Sequence, residues 1–518
     1  MRLKQKSMKL SMNENSTKNL VKKGRKNALT GIMYFVVNTI TALIITPILV
    51  NYLGSYYFGI WKSIEKFIGF AGIADGQGTQ ALKWTIAHEE AKHDYYKKRR
   101  LIASSFVVWT LFLPILVALI GLFLYYSPYI INEVDSTDLQ LVYMIIVVLG
   151  INLVITPLFA IPESILVGTN RGHIANKIKI IWLIVTFIMT YLIVVFEYGL
   201  VELSIIIVIV TAVRGIHYFF IVRKLIPWLG LEKPKRDELK SFFKFSSWKL
   251  IWAFNARFLL SSEIIFLTIL VSPQSVSQYI FSSYIPVIGI LLSAIVTSAF
   301  NPGIGRLVGN KEYETSQKFI VNLRESVLAF GVFIGAITLL LNKSFIFLWS
   351  NQSLYLGDTI NLFIVILMIQ LIIIRNESFL IDLSLNIKKK VLLGVLSLII
   401  SSILVVAGYS YTGCLWSIFV GLFLGRMLLI VLFPIITNKM VQIDKKNIPI
   451  GTFFAVTFIL IGAYILGGKQ FFETWYELVL FGLVESILCA IIVYALVLKQ
   501  ENKRVIKLKV LNIFKGES

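Results

Sequence analysis

The chain has 518 residues, 57 % of them hydrophobic and 15 % charged, and its mean hydropathy is +0.80. No soluble domain buries repeated apolar runs of about twenty residues, the length a bilayer crossing needs, so the composition excludes a soluble globular protein and predicts a polytopic membrane protein. The net charge of +22 would suit nucleic acid, but no aromatic platform or folded basic module accompanies the cations, and nucleic acid is excluded as a partner.

Residues 1–27 form a polar tail with nine Lys or Arg and one acid, Glu14. The first apolar run starts only near Ala28, too late and too long for a cleavable leader, and reads as a first span to Val50 interrupted by Pro47. The second span, Tyr57–Leu82, carries Lys62, Glu65, Lys66 and Asp75 and is followed by a basic amphipathic segment ending at Lys97–Arg100. A degenerate echo of this pair begins at Tyr279, which suggests two lobes around a hydrated interior. Spans three to six are Leu101–Tyr126, Leu139–Ile161, Ile178–Phe196 and Leu203–Ile221, the last containing Arg214 and His217. Glu163, after Pro162, is expected to cap a helix start.

Residues 223–244, interrupted by Pro227, Gly230 and Pro234, read as a linker between a first lobe, 28–222, and a second, 245–435. Span seven, Phe245–Val271, contains Lys249, Arg257 and Glu263. Spans eight to twelve are Val276–Phe300, Phe319–Leu341, Thr359–Leu380 with Arg375 and Glu377, Val391–Gly408, and Gly413–Ile435 with Arg426. Residues 436–498 add two more spans, Pro449–Leu466 and Trp475–Leu498, and residues 499–518 form a second basic tail. The expected fold is an all-α polytopic membrane protein of about 14 transmembrane helices: two six-helix lobes around a central cavity, plus two C-terminal helices.

With both termini cytoplasmic, 40 of the 50 Lys and Arg fall in cytoplasmic segments, counting with them Lys179 at the cytoplasmic edge of span five. External loops hold Lys343 and Lys469, and the spans hold Lys62, Lys66, Arg214, Lys249, Arg257, Arg324, Arg375 and Arg426. A miscount of one span would scramble this asymmetry, so the positive-inside bias supports both the even count and the orientation. It also accounts for most of the net charge, with attraction to anionic inner-leaflet lipid as a second consequence.

A cation at mid-span costs about 2.5–3.5 kcal/mol on insertion scales. Several such residues are therefore expected to line a cavity or to pair. Lys62, Glu65 and Lys66 share a helical face and partly neutralise one another. Arg257, near mid-span, is the leading cavity residue, followed by Arg214, Arg375, Lys62, Arg426 and Lys249. Asp75, in a glycine-rich break, and Glu263 and Glu377 are the candidate ion-coupling acids. The excess of cations over acids favours an anionic headgroup such as pyrophosphate and disfavours a lipophilic cation. No phosphate-binding GxxxxGK[ST] loop is present, HEEAKH has the wrong spacing for a zinc-binding HExxH helix, and Cys414 and Cys489 make no metal site or disulfide framework. No cofactor, metal site or catalytic residue is expected. Transport by alternating access of two lobes is the better physical account than an enzyme.

Two segments carry a resemblance over about Ala28–Leu498. The opening ITPILVNYLGSYYFGIW and the eighth-span end SAFNPGIGRLVGNKE resemble the polysaccharide flippases of the multidrug/oligosaccharidyl-lipid/polysaccharide exporter superfamily, the Wzx-like carriers of O-unit and capsule repeats. The resemblance implies a bacterial plasma-membrane flippase that moves undecaprenyl-pyrophosphate-linked oligosaccharide to the outer leaflet, coupled to a proton or sodium gradient. It implies, as partners, the polymerase and glycosyltransferases of a surface-polysaccharide pathway. Relatives that flip lipid II or other peptidoglycan and sporulation precursors share the motifs, and ion-coupled multidrug exporters share them more loosely.

Overall fold

The computed structural model describes residues 2–90, 94–310, 312–350, 354–383, 387–442, 450–500 and 502–503, with backbone only at 2–22, 240–249, 299, 301–302, 309 and 450. Among these residues the chain is all-helical and has no strand. Hydrocarbon offers backbone N–H and C=O groups no partners, so a spanning segment must satisfy them within itself. Twelve helices are long and apolar enough to span, and a thirteenth crossing is a broken pair. The chain is a multi-pass membrane protein.

The first helix, α1 (Arg2–Ala71), contains two crossings. The apolar stretch Lys23–Asp75, which runs from α1 into the turn that follows it, has 53 residues, about 80 Å at the helical rise, against about 30 Å of hydrocarbon. Gly54 divides it, with φ 76° and ψ 161° inside an otherwise helical run. A side chain is strained in that left-handed backbone region and glycine is not. A short 3-10 turn, Gly72–Asp75, leads to α2 (Gly78–Glu89), and four long helices follow: α3 (Tyr95–Ile130), α4 (Leu139–Gly168), α5 (Gly172–Val195) and α6 (Leu200–Leu225). Helix α4 continues through Pro157 and Pro162. This corrects the reading of Glu163 as a cap: it lies within α4 and pairs with Lys179 at 2.6 Å.

The linker stretch is short. Helix α7 (Arg236–Leu270) begins inside it, so only 226–235 is non-helical. Then come α8 (Pro273–Ser282), α9 (Tyr284–Gly309), α10 (Tyr313–Ser350), α11 (Asp358–Asp382), α12 (Lys388–Thr412), α13 (Leu415–Val441), α14 (Ile450–Lys469) and α15 (Trp475–Leu496). Helices α8 and α9 meet at 55° and together form one broken span. Among the described residues this makes twelve candidate spans, or thirteen with the broken pair; the expected fourteen is reached only by counting the two arms of α1 on either side of Gly54 separately.

The chain divides into two compact units, Met1–Phe254 and Asn255–Ser518. In the first, α4 packs on α2, α3 and α6, and α1 packs on α5. In the second, α10 is the centre, touching α8, α9, α11, α13, α14 and α15. The last two helices are thus part of the second unit, anchored by the Phe472 amide donating to Ser344 Oγ at 2.8 Å.

Side chains tie the helix ends in the order the alternating topology demands. In the first unit Asn27 bonds Asn170 at 2.8 Å and Arg99 bonds the Trp228 carbonyl at 2.9 Å, at the basic end. At the opposite end Tyr52 reaches the Tyr198 carbonyl at 3.0 Å, and Tyr57 reaches Asp138 at 3.2 Å. The basic end of the second unit is closed by Gln317 donating to the Val441 carbonyl at 3.0 Å.

Candidate functional site

The intramembrane charges fall into two sets, those already paired and those without a carboxylate. Helical geometry makes the first pair local: Lys62 Nζ sits 2.7 Å from Glu65, one turn away, and 4.2 Å from the centre of the Trp61 ring. Lys62 thus has its charge shared before any substrate arrives. Lys66 is half-buried on the same helix.

In the second unit the candidate acids are both occupied. Glu377 on α11 accepts from Arg324 Nε and Nη2 on α10, each at 2.6 Å, a bidentate fork. Arg324 Nη1 donates to Asn438 on α13 at 2.8 Å, which joins three helices through one guanidinium. A cavity of about 60 Å³ adjoins the pair, lined also by Glu325, Asn376 and Lys499. Deeper in the unit, Arg426 on α13 is fully buried and lies 2.9 Å from Glu263 on α7. Its Nη2 donates to Ser262 Oγ at 2.6 Å and to the Leu259 carbonyl at 3.0 Å. A charge buried to this degree persists only when paired and hydrogen-bonded, and this pair fixes α7 against α13. Arg426, Glu263 and Glu377 are therefore placed as helix-joining ion pairs.

The other arginines are different. Arg257 is exposed on α7, about two turns from Glu263 toward the basic end. Arg214 is half-buried on α6 of the first unit. Arg375 is half-buried on α11, with its Nη1 buried and lacking any hydrogen-bond partner. Among the described residues none of these three makes an ion pair. The side chain of Lys249 lies outside the described set.

Asp75 sits in the 3-10 turn between α1 and α2, where Gly76 takes a left-handed φ of 72°. Its Oδ1 accepts from the Gln77 amide at 2.7 Å and from Gln77 Nε2 at 3.2 Å. No cation reaches it among the described residues. His217 accepts from Trp182 Nε1 at 3.0 Å, a packing contact between α5 and α6.

Sequence spacing found Lys62–Glu65 because that pair is local. It missed Asn438 and the role of Arg324, since residues 53 apart in sequence leave no periodic signal of their pairing. It also missed the seam between α12 and α13, although that signal is present: Gly421 and Gly425 are four apart, as are Ser397 and Ser401. Ser397 Oγ donates to the Gly425 carbonyl at 2.9 Å across the seam.

No family model and no curated protein matches this sequence. Solved structures do match. An inward-facing multidrug resistance MATE family transporter of the MOP superfamily superposes with a TM-score of 0.57 at 13 % identity, covering 80 % of this chain and 96 % of the other. An outward-facing structure of a multidrug resistance MATE family transporter of that superfamily gives 0.53 at 16 % identity with the same coverage. A MOP superfamily transporter from Pyrococcus furiosus, described as having a binding pocket of reverse polarity, gives 0.53 at 14 % identity over 82 % of this chain and 96 % of the other. The chain therefore has the fold of the MATE transporters of the MOP superfamily.

Proposed function

We propose that this protein is an alternating-access carrier of an amphipathic anion, and specifically a flippase of undecaprenyl-pyrophosphate-linked oligosaccharide for surface-polysaccharide synthesis. The observation that carries the reading is the set of intramembrane arginines, Arg214, Arg257 and Arg375, that have no carboxylate partner among the described residues. A protein that tolerates such charges at an insertion cost of about 2.5–3.5 kcal/mol each has a use for them. A guanidinium is the side chain best matched to phosphate, because its planar donors grip two oxygens at once. Arg257 is the residue assigned to the pyrophosphate, since it is exposed and makes no ion pair among the described residues. Asp75 is the acid assigned to ion coupling, because no cation among the described residues pairs with it.

The fold supports an ion-coupled multidrug exporter equally, and two of the structures it resembles are multidrug resistance transporters. The arginines separate the two readings: a lipophilic cation would meet like charge, and an anion would not. Lipid II and other precursors carry similar pyrophosphate chemistry and are distinguished by which lipid accumulates. The test is the sidedness of lipid-linked glycan in cells lacking the protein. Accumulation on the cytoplasmic leaflet, reversed by the wild-type chain, is expected. Increased drug sensitivity with surface glycan intact would establish the exporter instead. Arg257→Ala is expected to abolish export while the protein still reaches the membrane at wild-type abundance; export at the wild-type rate would remove Arg257 from the mechanism.

A further inference from the structure

The first unit contains a groove that none of the foregoing uses. It lies at the basic end among α3, α4, α6 and the turn at 226–231, has a volume of about 770 Å³, and is walled by Phe106, Leu158, Phe159, Ile216, Phe219 and Leu231. That volume is in the range of small-molecule sites, about 300–1,000 Å³. Of all its lining residues Arg223 is the one with a polar side chain. A sugar, nucleotide or peptide placed there would leave its polar groups unpaired, at a cost of about 1–3 kcal/mol each. A hydrocarbon chain would not.

The groove is a built feature. Its floor is the turn after α6, and two cations clamp it: Arg171 Nη1 donates to the Leu225 carbonyl at 2.7 Å, and Arg99 Nε donates to the Trp228 carbonyl at 2.9 Å. Tyr95 stacks on Trp228, and Lys98 Nζ lies 5.2 Å from the same ring. Both guanidiniums are hydrogen-bonded there to neutral carbonyls, so those contacts leave their charge uncancelled. Arg223 and Lys224 add two exposed cations. Against them stand Glu90, which pairs with Lys98 at 2.8 Å, Glu163, which follows the lining residue Pro162 and pairs with Lys179 at 2.6 Å, Glu232, just beyond Leu231, and Glu238, which is held by Arg100 at 3.0 Å. The local balance at the groove is positive.

We infer that this groove holds the acyl chains of an anionic phospholipid whose phosphate rests on Arg223. The apolar walls select lipid over any water-soluble ligand, and the uncancelled cations select an anionic headgroup over a zwitterionic one. The inference is independent of what the protein transports, since it uses no residue assigned to the substrate.

The test is native mass spectrometry of the intact purified protein, titrated with phosphatidylglycerol or with phosphatidylcholine of the same acyl chains. Phosphatidylglycerol is expected to bind about fivefold tighter, the equivalent of one interfacial arginine. Arg223→Gln is expected to remove most of that preference, with Lys224 and the cations of the turn leaving a smaller residual one. Ile216→Trp, which fills the groove from a position 47 % exposed, is expected to weaken both while preserving their ratio. Leu231→Trp, at a position 64 % exposed, gives the same readout should the first variant not elute as a single species. Equal binding of the two lipids by the wild-type protein would overturn the inference, as would phosphatidylglycerol binding that Arg223→Gln and the groove-filling variants all leave unchanged. Displacement by undecaprenyl phosphate at equal concentration would overturn it in favour of a polyprenyl occupant. Displacement by inorganic phosphate would reduce the site to a simple anion contact.

Discussion

The carboxylate of Glu377 is 2 % exposed, and its partner Arg324 is 12 % exposed. Removing one member strands the other in a low-dielectric setting, whereas removing both restores a neutral interior. Breaking such a pair costs about 3–5 kcal/mol, while replacing both members with apolar groups is often neutral. Glu377→Leu is therefore expected to lower the thermal stability of the purified protein more than the double variant Arg324→Met with Glu377→Leu, as read by fluorescence-detected gel filtration. A double variant less stable than the single one would show that the pair is net stabilising rather than merely specifying. The same asymmetry applies to Arg426 and Glu263. In both cases the charges were visible in the sequence, but their partners were not, because each bond joins residues on different helices. Lys62 and Glu65 were legible as a pair because three residues on a helix are always neighbours.

At the scale of elements, two local rules gave way to the membrane. Pro157 and Pro162 would end a helix in water, yet α4 runs through both. In hydrocarbon, unwinding the chain would expose more unsatisfied backbone than the prolines forfeit, and packed neighbours repair the rest. Between α12 and α13 the opposite principle holds: packing needs the absence of side chains. A Cβ at Gly425 would meet the Ser401 Cα at 2.5 Å, and one at Gly421 would meet the Val405 amide nitrogen at 2.7 Å. Close backbone approach between small residues is how membrane helices associate when no hydrophobic force distinguishes protein from lipid. Gly425→Val is expected to cost about 1–3 kcal/mol or more by overpacking, seen as a lower melting temperature. Gly462→Val on α14, where nothing lies within 4 Å, is expected to be silent. Equal stability of the two variants would contradict the account of the seam.

At the scale of the molecule, the proposed orientation follows the positive-inside rule, with the basic end of each unit in the cytoplasm. The turn between α12 and α13 lies at the opposite end, and Cys414 there is exposed, whereas Cys489 on α15 is buried. A membrane-impermeant maleimide applied to intact cells is expected to label the wild-type protein, and Cys414→Ser is expected to abolish the labelling. Labelling only after the cells are broken would invert the topology. The sequence by itself determined the membrane class, the all-helical fold and the charge asymmetry, because hydropathy, span length and insertion cost are properties of each segment alone. Even the break within α1 is announced by a glycine between two apolar runs. Only the tertiary structure decided which charges are spent and which remain. Pairing across helices places residues from distant parts of the chain within 3 Å, and no spacing rule encodes that. It paired Arg426 with Glu263 and Arg324 with Glu377, and left Arg214, Arg257 and Arg375 without a counter-ion among the described residues. It also assembled the apolar groove from three helices and a clamped turn, since a cavity is defined by what its walls fail to fill.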